Sequence, residues 1–216
     1  MSGPDRQSPP VVEAPVEAHP ATTIPKIKTR SPSSPQTSPH HTTPPAQDRY
    51  APKPQTSVSL ADTIGPHRSI SSFSSFTRVN PATAHLLDDL AAKMTLLAPL
   101  NSAIDALPRK PWEEPEPTPP PPDQDPDQTS QEGQQAQDRA KHNLDRFVRA
   151  HIVLGMAPWK EGTKAETLAG GGQIWWEERE DDGVRVVYPD GMEVERVAAR
   201  VANGELWILR GVLNFK

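Results

Sequence analysis

The distribution of proline divides this chain more sharply than any other feature of its sequence. Of 27 prolines, 13 lie in residues 1–56 and 8 in residues 111–126. Proline has no backbone N–H donor and cannot continue a helix or a central strand. We therefore predict a disordered Pro/Ser/Thr-rich tail over residues 1–56 and a folded domain over residues 57–216. An acidic, proline-rich loop is expected to interrupt that domain at about residues 112–138.

Composition excludes several kinds of site and partner. The chain has no cysteine, which rules out disulfides, thiolate zinc sites and a cysteine nucleophile. A formal net charge of −5 gives no indication of a nucleic-acid partner. No apolar run reaches the roughly 20 residues of a transmembrane helix. Residues 1–6 lack the apolar stretch of a signal peptide, so none is predicted.

The first half of the predicted domain shows mainly helical patterns. Asn80 and Pro81 form a helix-start signal, because asparagine caps helices and proline suits their first position. A short apolar run over residues 94–98 predicts a buried strand that ends at Pro99. Asn101 or the serine after it is expected to cap a short helix that follows.

The second half changes from helical to strand periodicity. A helix is predicted from about Gln135 to the region of His151. Strands follow, at Gln173–Glu178, Val184–Tyr188, Glu193–Val201 and Leu206–Phe215. The Asn203-Gly204 pair predicts a type I′ hairpin turn between the last two strands. Helices followed by an antiparallel meander indicate the α+β class.

Three segments, in this order along the chain, resemble the signatures of the fasciclin domain family. They are residues 95–104 (TLLAPLNSAI), residues 146–153 (RFVRAHIV) and residues 201–213 (VANGELWILRGVL). Residues 107–113 also resemble an extension found in fungal single-domain members. The resemblance implies a wedge of two small antiparallel β-sheets with helices at one end. It further implies a binding or adhesion protein of the cell surface, the wall or, in fungi, the vacuole.

The motif residues carried over from this resemblance are expected to be mainly structural: Thr95, Pro99, Asn101, Ala103, His151, Asn203 and Gly204. Thr95 and Pro99 would shape and end the first strand, while Asn203 and Gly204 would form a turn. His151 is expected to be a buried histidine bonded to the backbone, with a ligand-binding or catalytic role as the alternative.

Tryptophans are the candidates for surface contacts. Trp175 and Trp176 are consecutive on a predicted strand and must point to opposite faces. With Trp112 and Trp159 in predicted loops, an exposed indole could stack on a sugar or on a partner's side chain. The alternative is a closed aromatic core with one shielded ring.

Two functional hypotheses follow from the sequence, and neither includes catalysis, a metal or a cofactor. The first is a fasciclin-type binding or adhesion module on the secretory route that contacts a protein, glycan or lipid surface. The second is a cytoplasmic interaction protein regulated by phosphorylation of Ser/Thr-Pro steps in its tail. Those steps begin at Ser8, Ser31, Ser34, Ser38 and Thr43. A hydrolase is disfavoured because no nucleophile motif or paired-carboxylate pattern is present.

Overall fold

The computed structural model describes residues 49–113 and 128–215. The five predicted phosphorylation sites and the middle of the proline-rich insertion lie outside these residues. The helices are α1 (Leu60–Ile64), α2 (Ser71–Phe76), α3 (Pro81–Asp88), α4 (Asn101–Asp105) and α5 (Gln128–Arg149), with a 3-10 turn at Arg68–Ile70. The strands are β1 (Pro54–Gln55), β2 (Met94–Pro99), β3 (Ile152–Leu154), β4 (Ala165–Glu166), β5 (Gln173–Glu178), β6 (Arg185–Tyr188), β7 (Met192–Val201) and β8 (Gly204–Leu209). The predicted α+β class is confirmed.

The strands are hydrogen-bonded in the order β3-β2-β8-β7-β6-β5-β4, with β1 beside β7. The two ends of this order meet at a bridge between Val153 and Thr167. The backbone N–H of Leu168 also donates to the carbonyl of Ile152 at 2.8 Å. The sheet therefore curls into a nearly closed barrel.

This pairing corrects the expected pair of small antiparallel sheets. Strands β2 and β8 are parallel, with Met94 opposite Gly204 and Pro99 opposite Leu209. Strand β1 is also parallel to β7. The reason is connectivity: a hairpin forces antiparallel pairing, but β2 and β8 are joined by a long crossover that contains α5 and most of the other strands.

Side chains that alternate along β2 and β8 divide the interior into two cores. Leu96 and Ala98 of β2, with Leu206 of β8, face the helices and pack among apolar residues of α1, α2, α3 and α5. We call this the helix-facing core. Leu97 and Trp207 point into the curled sheet and form what we call the barrel core. Its other large members are Tyr50, Val153, Trp159, Ile174, Trp176, Val187, Val194, Val197, Leu209 and Leu213.

The predicted domain boundaries move at both proline-rich regions. Tyr50 is 5% exposed and β1 pairs with β7, so ordered contacts begin before residue 57. The proline content of residues 1–56 predicted disorder up to residue 56, and only one residue near its end, Tyr50, enters the core. Helix α5 begins at Gln128, inside the predicted insertion, since the glutamine-rich sequence there favours a helix.

Other local predictions fare differently. Asn80 caps α3 through its side-chain oxygen, which accepts from the N–H of Ala82 at 2.9 Å. The buried strand ending at Pro99 is also confirmed. The last strand, however, ends at Leu209 and not at Phe215. Residues beyond it pack against the helices and the barrel instead of extending the sheet.

Candidate functional site

Asn203 is fully buried, and its side chain connects the sheet to two helices by hydrogen bonds. Its side-chain oxygen accepts from the N–H of Leu60, in α1, at 2.9 Å. Its amide nitrogen donates to the carbonyls of Leu87 at 2.8 Å and Asp89 at 3.1 Å, at the end of α3. Every hydrogen bond described for this side chain is therefore made within the fold.

Gly204 does not form the predicted type I′ turn with Asn203. Val201 is opposite Gly204 in the ladder, so the two turn residues are Ala202 and Asn203. Gly204 is the first residue of β8 and does not have a positive φ. A Cβ at this position would lie 2.0 Å from the carbonyl oxygen of Met94. Glycine is required here by the close approach of β2, which turn propensity cannot reveal.

Asn101 caps a different helix from the one expected. It is the first residue of α4, and its oxygen accepts from the N–H of Ser72, in the first turn of α2, at 3.0 Å. Its amide nitrogen donates to the carbonyl of Arg68 at 2.8 Å. The expected cap of its own helix was wrong because the side chain turns toward a neighbour across the fold.

The remaining strand-motif positions also lie inside the fold. Thr95 is fully buried, and its hydroxyl donates to the carbonyl of Met156. Pro99 is buried at the end of β2. Ala103 is partly buried in α4, and its N–H donates to the carbonyl of Leu100 at 3.0 Å.

His151 is fully buried beside Phe73 and Phe147, and both of its ring nitrogens are paired. Nδ1 lies 2.7 Å from the carbonyl oxygen of Phe147 and donates to it. Nε2 accepts the N–H of Leu213 at 3.2 Å. Burial lowers the pKa of His151 to about 4, against a smaller opposing effect of the bond to Phe147. A neutral histidine that joins α5 to the C-terminal segment supports the structural interpretation.

The four tryptophans proposed for surface contacts separate into two pairs. Trp159 and Trp176 are 3% and 5% exposed and belong to the barrel core. Their surface role is therefore corrected: the barrel closes over both rings. Trp112 is 41% exposed and packs edge-on against Phe76 at 5.8 Å. Trp175 is half-buried and points to the opposite face of the sheet from Trp176, as the alternation predicts.

Trp175 forms an aromatic pair with Tyr188 on the outer face of the barrel. The two residues are cross-strand neighbours in β5 and β6, and their rings lie 5.8 Å apart and within 20° of parallel. The ammonium of Lys164 is 5.4 Å from the indole centroid, and Glu177 accepts from the indole N–H at 3.0 Å. We call these four residues the outer aromatic patch.

In one part of the barrel core, three aromatic rings surround the side chain of Arg185. The guanidinium of Arg185 lies 4.4 Å from a ring centroid of Trp176, 4.6 Å from that of Tyr50 and 5.4 Å from that of Trp207. Its Nε has no hydrogen-bond partner among the described residues. Burial lowers the pKa of Arg185 from its usual value. Cation–π contacts thus replace part of the solvation that this arginine loses.

An ion pair between a half-buried arginine and a buried glutamate lies beside this cluster. Arg200 Nε is 2.8 Å from Glu205 Oε1, although the angles are not those of a hydrogen bond. The other oxygen of Glu205 accepts from the indole N–H of Trp207 at 3.0 Å.

The sequence contains one signal for the cluster around Arg185: Tyr50 is the only Phe, Trp or Tyr among the first 72 residues. An isolated aromatic in a proline-rich segment is a candidate anchor.

Neither a metal-binding cluster nor a membrane-spanning helix is found among residues 49–113 and 128–215. No group of three or more His, Asp or Glu side chains there could hold a metal ion. Within the same residues, no helix is long and apolar enough to cross a membrane.

Comparison with known proteins gives relatives over most of the chain. It is 44% identical over 158 residues to a FAS1 domain-containing protein of Neurospora crassa, covering 73% of this chain and 66% of the relative. Proteins described in the same words from Aspergillus fumigatus and Emericella nidulans are 43% and 41% identical over 73% and 72% of this chain, and 64% and 61% of their own length is covered. The chain thus spans slightly less than two thirds of each relative.

Other comparisons are weaker. No family model matches the sequence. Among solved structures, a FAS1 domain pair from the insect cell adhesion molecule fasciclin I is similar, with a TM-score of 0.47 and 11% identity over 74% of this chain and 51% of that one. The three fungal relatives identify the chain as a member of the fasciclin, or FAS1, domain family.

Proposed function

We propose that this chain is a non-catalytic binding and adhesion module that contacts a cell-wall glycan through the outer aromatic patch. The observation that carries the proposal is the near-parallel pair of Trp175 and Tyr188 on the outside of the barrel. Sugar rings present C–H groups on their faces and hydroxyls at their edges. Flat aromatic rings with polar neighbours are suited to bind both parts.

The polar groups around the pair favour a glycan over an apolar partner. Lys164 is exposed and lies over the indole, while the carboxylate of Glu177 is exposed beside it. These groups can donate to and accept from hydroxyls without being buried first. The signature residues Asn203 and His151, in contrast, use their polar atoms within the fold.

A direct test is retention of the full chain on insoluble β-glucan, chitin and mannan. We expect the chain to bind at least one of these. Trp175→Ala should weaken that binding by about tenfold, since a stacked aromatic contributes of order 0.5–1.5 kcal/mol beyond the area that it buries. Trp112→Ala is the matched control, because it also removes an exposed indole, but one that packs against Phe76 and makes none of the patch contacts. The proposal is contradicted if both variants lose the same amount of binding, or if neither the wild-type chain nor Trp112→Ala is retained on any of the three polysaccharides.

The cellular location follows from the same proposal. A glycan-binding module must reach the wall, the extracellular space or the vacuole through the secretory route, and a fluorescent fusion of the chain should be found there. A diffuse cytosolic signal would instead support the interaction protein regulated through Ser/Thr-Pro phosphorylation.

A further inference from the structure

The segment Arg49–Gln55, which we call the N-terminal strap, is attached to the barrel through a single buried side chain. Tyr50 is 5% exposed, Pro52 is half-buried, and the other residues from Ala51 to Ser57 are exposed. The strap continues as β1, which pairs with Arg200 and Val201 of β7. The strap is therefore attached by one buried side chain near its start and by two strand residues at its end.

The groove that receives Tyr50 is built by the sheet alone. The tyrosine hydroxyl donates to the carbonyl of Val194 at 3.0 Å and accepts from the N–H of Arg185 at 3.2 Å. Its backbone carbonyl accepts from Arg200 Nη2 at 3.3 Å. The ring lies under the Arg185 guanidinium, beside Trp176 and Trp207. Because β5, β6, β7 and β8 supply every one of these groups, each copy of the chain carries the same groove.

The strap also covers part of the edge of β7. Strand β6 pairs with β7 only at Met192 and Glu193, and β1 pairs with its last two residues. Without the strap, residues 200 and 201 would lose their strand partner, the carbonyl of Val194 would lose the Tyr50 hydroxyl, and the aromatic cavity would be uncovered. Such an exposed edge favours association with another chain. A strand supplied by a second copy would restore the same contacts.

We propose that two copies of this chain exchange their N-terminal straps, so that Tyr50 of each occupies the groove of the other. The contacts of the closed monomer are recovered twice in a symmetric dimer, which is how exchange of an identical element produces dimers at low cost. The exposed residues Thr56 and Ser57 are the connection that must redirect the strap. This inference does not depend on the proposed glycan contact.

Competition within each copy makes the exchange weak. A strap tethered by a short connection has an effective concentration of order millimolar at its own groove. Exchange is therefore favoured where copies are crowded together, as on a surface, and a covalent trap is the appropriate way to detect it.

The absence of native cysteine allows a clean trap with two singly substituted full-length chains. One carries Gln55→Cys and the other, distinguishable by mass, carries Val201→Cys. Residues 55 and 201 are register partners, so an intermolecular disulfide between the two chains forms readily only after exchange. A chain with both substitutions should close its own disulfide and stay monomeric, which verifies that the pair can be bridged.

The expected result is a heterodimer that accumulates on mild oxidation and falls at least about tenfold when Tyr50→Ala is added to the strap donor. The collision control pairs Gln55→Cys with Ala91→Cys, an exposed position on another part of the chain. The proposal is overturned if the doubly substituted chain closes its disulfide while the mixed chains cross-link no faster than this control.

Sedimentation of the wild-type chain gives an independent measure. A dimer at high concentration that Tyr50→Ala abolishes and Tyr188→Ala preserves supports exchange. A chain that stays monomeric up to about 1 mM, the effective concentration of the tethered strap, contradicts it.

Discussion

The two cores on opposite faces of the sheet are held together in different ways. The helix-facing core is mostly aliphatic and phenylalanine, and the polar groups that connect its elements are separate residues such as Asn203 and Asn101. The barrel core contains three tryptophans and Tyr50, whose own polar atoms make the connections. For example, Trp159 Nε1 donates to the carbonyl of Thr163 at 3.0 Å, and Trp176 Nε1 donates to the carbonyl of Trp159 at 3.2 Å.

This difference predicts different tolerances. On the helix-facing side, the backbones of β2 and β8 approach so closely that position 204 admits no side chain. In the barrel core, polar contacts belong to individual rings and can be lost one at a time. A substitution at a close backbone contact of the helix-facing core should therefore lower the stability of the whole domain by a large amount. Substitutions in the barrel core should each lower it by the smaller contribution of one ring.

Gly204→Ala should produce the largest effect. The added methyl would overlap the carbonyl of Met94, so β2 or β8 must move, and we expect the free energy of unfolding to fall by more than about 3 kcal/mol. Urea denaturation followed by circular dichroism measures this loss.

Gly211→Ala is its matched control. The Cβ there would lie 2.2 Å from Met192 Sδ, but this sulfur belongs to a flexible side chain that can rotate away. A loss below about 1.5 kcal/mol is expected. If both substitutions cost the same, backbone approach is not what distinguishes position 204.

His151 should give an intermediate and pH-dependent effect. Its pKa is about 4 in the folded chain and about 6.5 when unfolded, so the unfolded chain binds a proton more readily. The resulting stability is complete above about pH 6.5 and is lost as the pH falls toward 4, by about 3 kcal/mol in total. Unfolding measured from pH 7.5 to 4 should show this decline.

His151→Gln cannot titrate, so this part of the decline should disappear in that variant. His142→Gln, on the exposed side of α5, should retain it. An unchanged pH dependence in His151→Gln would mean that another group is responsible.

Tyr50→Phe should produce the smallest of the three effects. It removes the hydroxyl that joins Val194 to Arg185 but keeps the ring in the barrel core, so a loss of about 1–2 kcal/mol is expected. Tyr188→Phe, on the outer face, should cost less than about 0.5 kcal/mol. Thermal unfolding of the two variants measures the difference, and equal costs would show that the strap is not anchored through its hydroxyl.

Predictions from sequence patterns were correct where a local rule and the tertiary contacts agree. Asn80 caps α3 as its type predicts, and the strand ending at Pro99 was evident from its apolar run. They performed worst where a residue acts at a distance. Asn101 caps α2 instead of α4, and Tyr50 bonds to Val194, 144 positions away.

For the candidate contacts, alternation along β5 predicted that Trp175 and Trp176 would face opposite ways, but not which of them is covered. That depends on Trp207 and Trp159, which come from other parts of the chain and enclose Trp176. The pairing of Trp175 with Tyr188 likewise depends on strand register, which residue types alone do not specify.

By itself, the sequence determined the α+β class, most helix and strand positions and membership of the FAS1 family, because these depend on periodicity, local backbone preferences and motif order. Only the tertiary structure decided that β2 and β8 are parallel, that Gly204 is needed for space, and that Tyr50 belongs to the folded unit. The physical reason is that steric exclusion and burial arise between segments far apart in the chain, and their relative placement is created by folding.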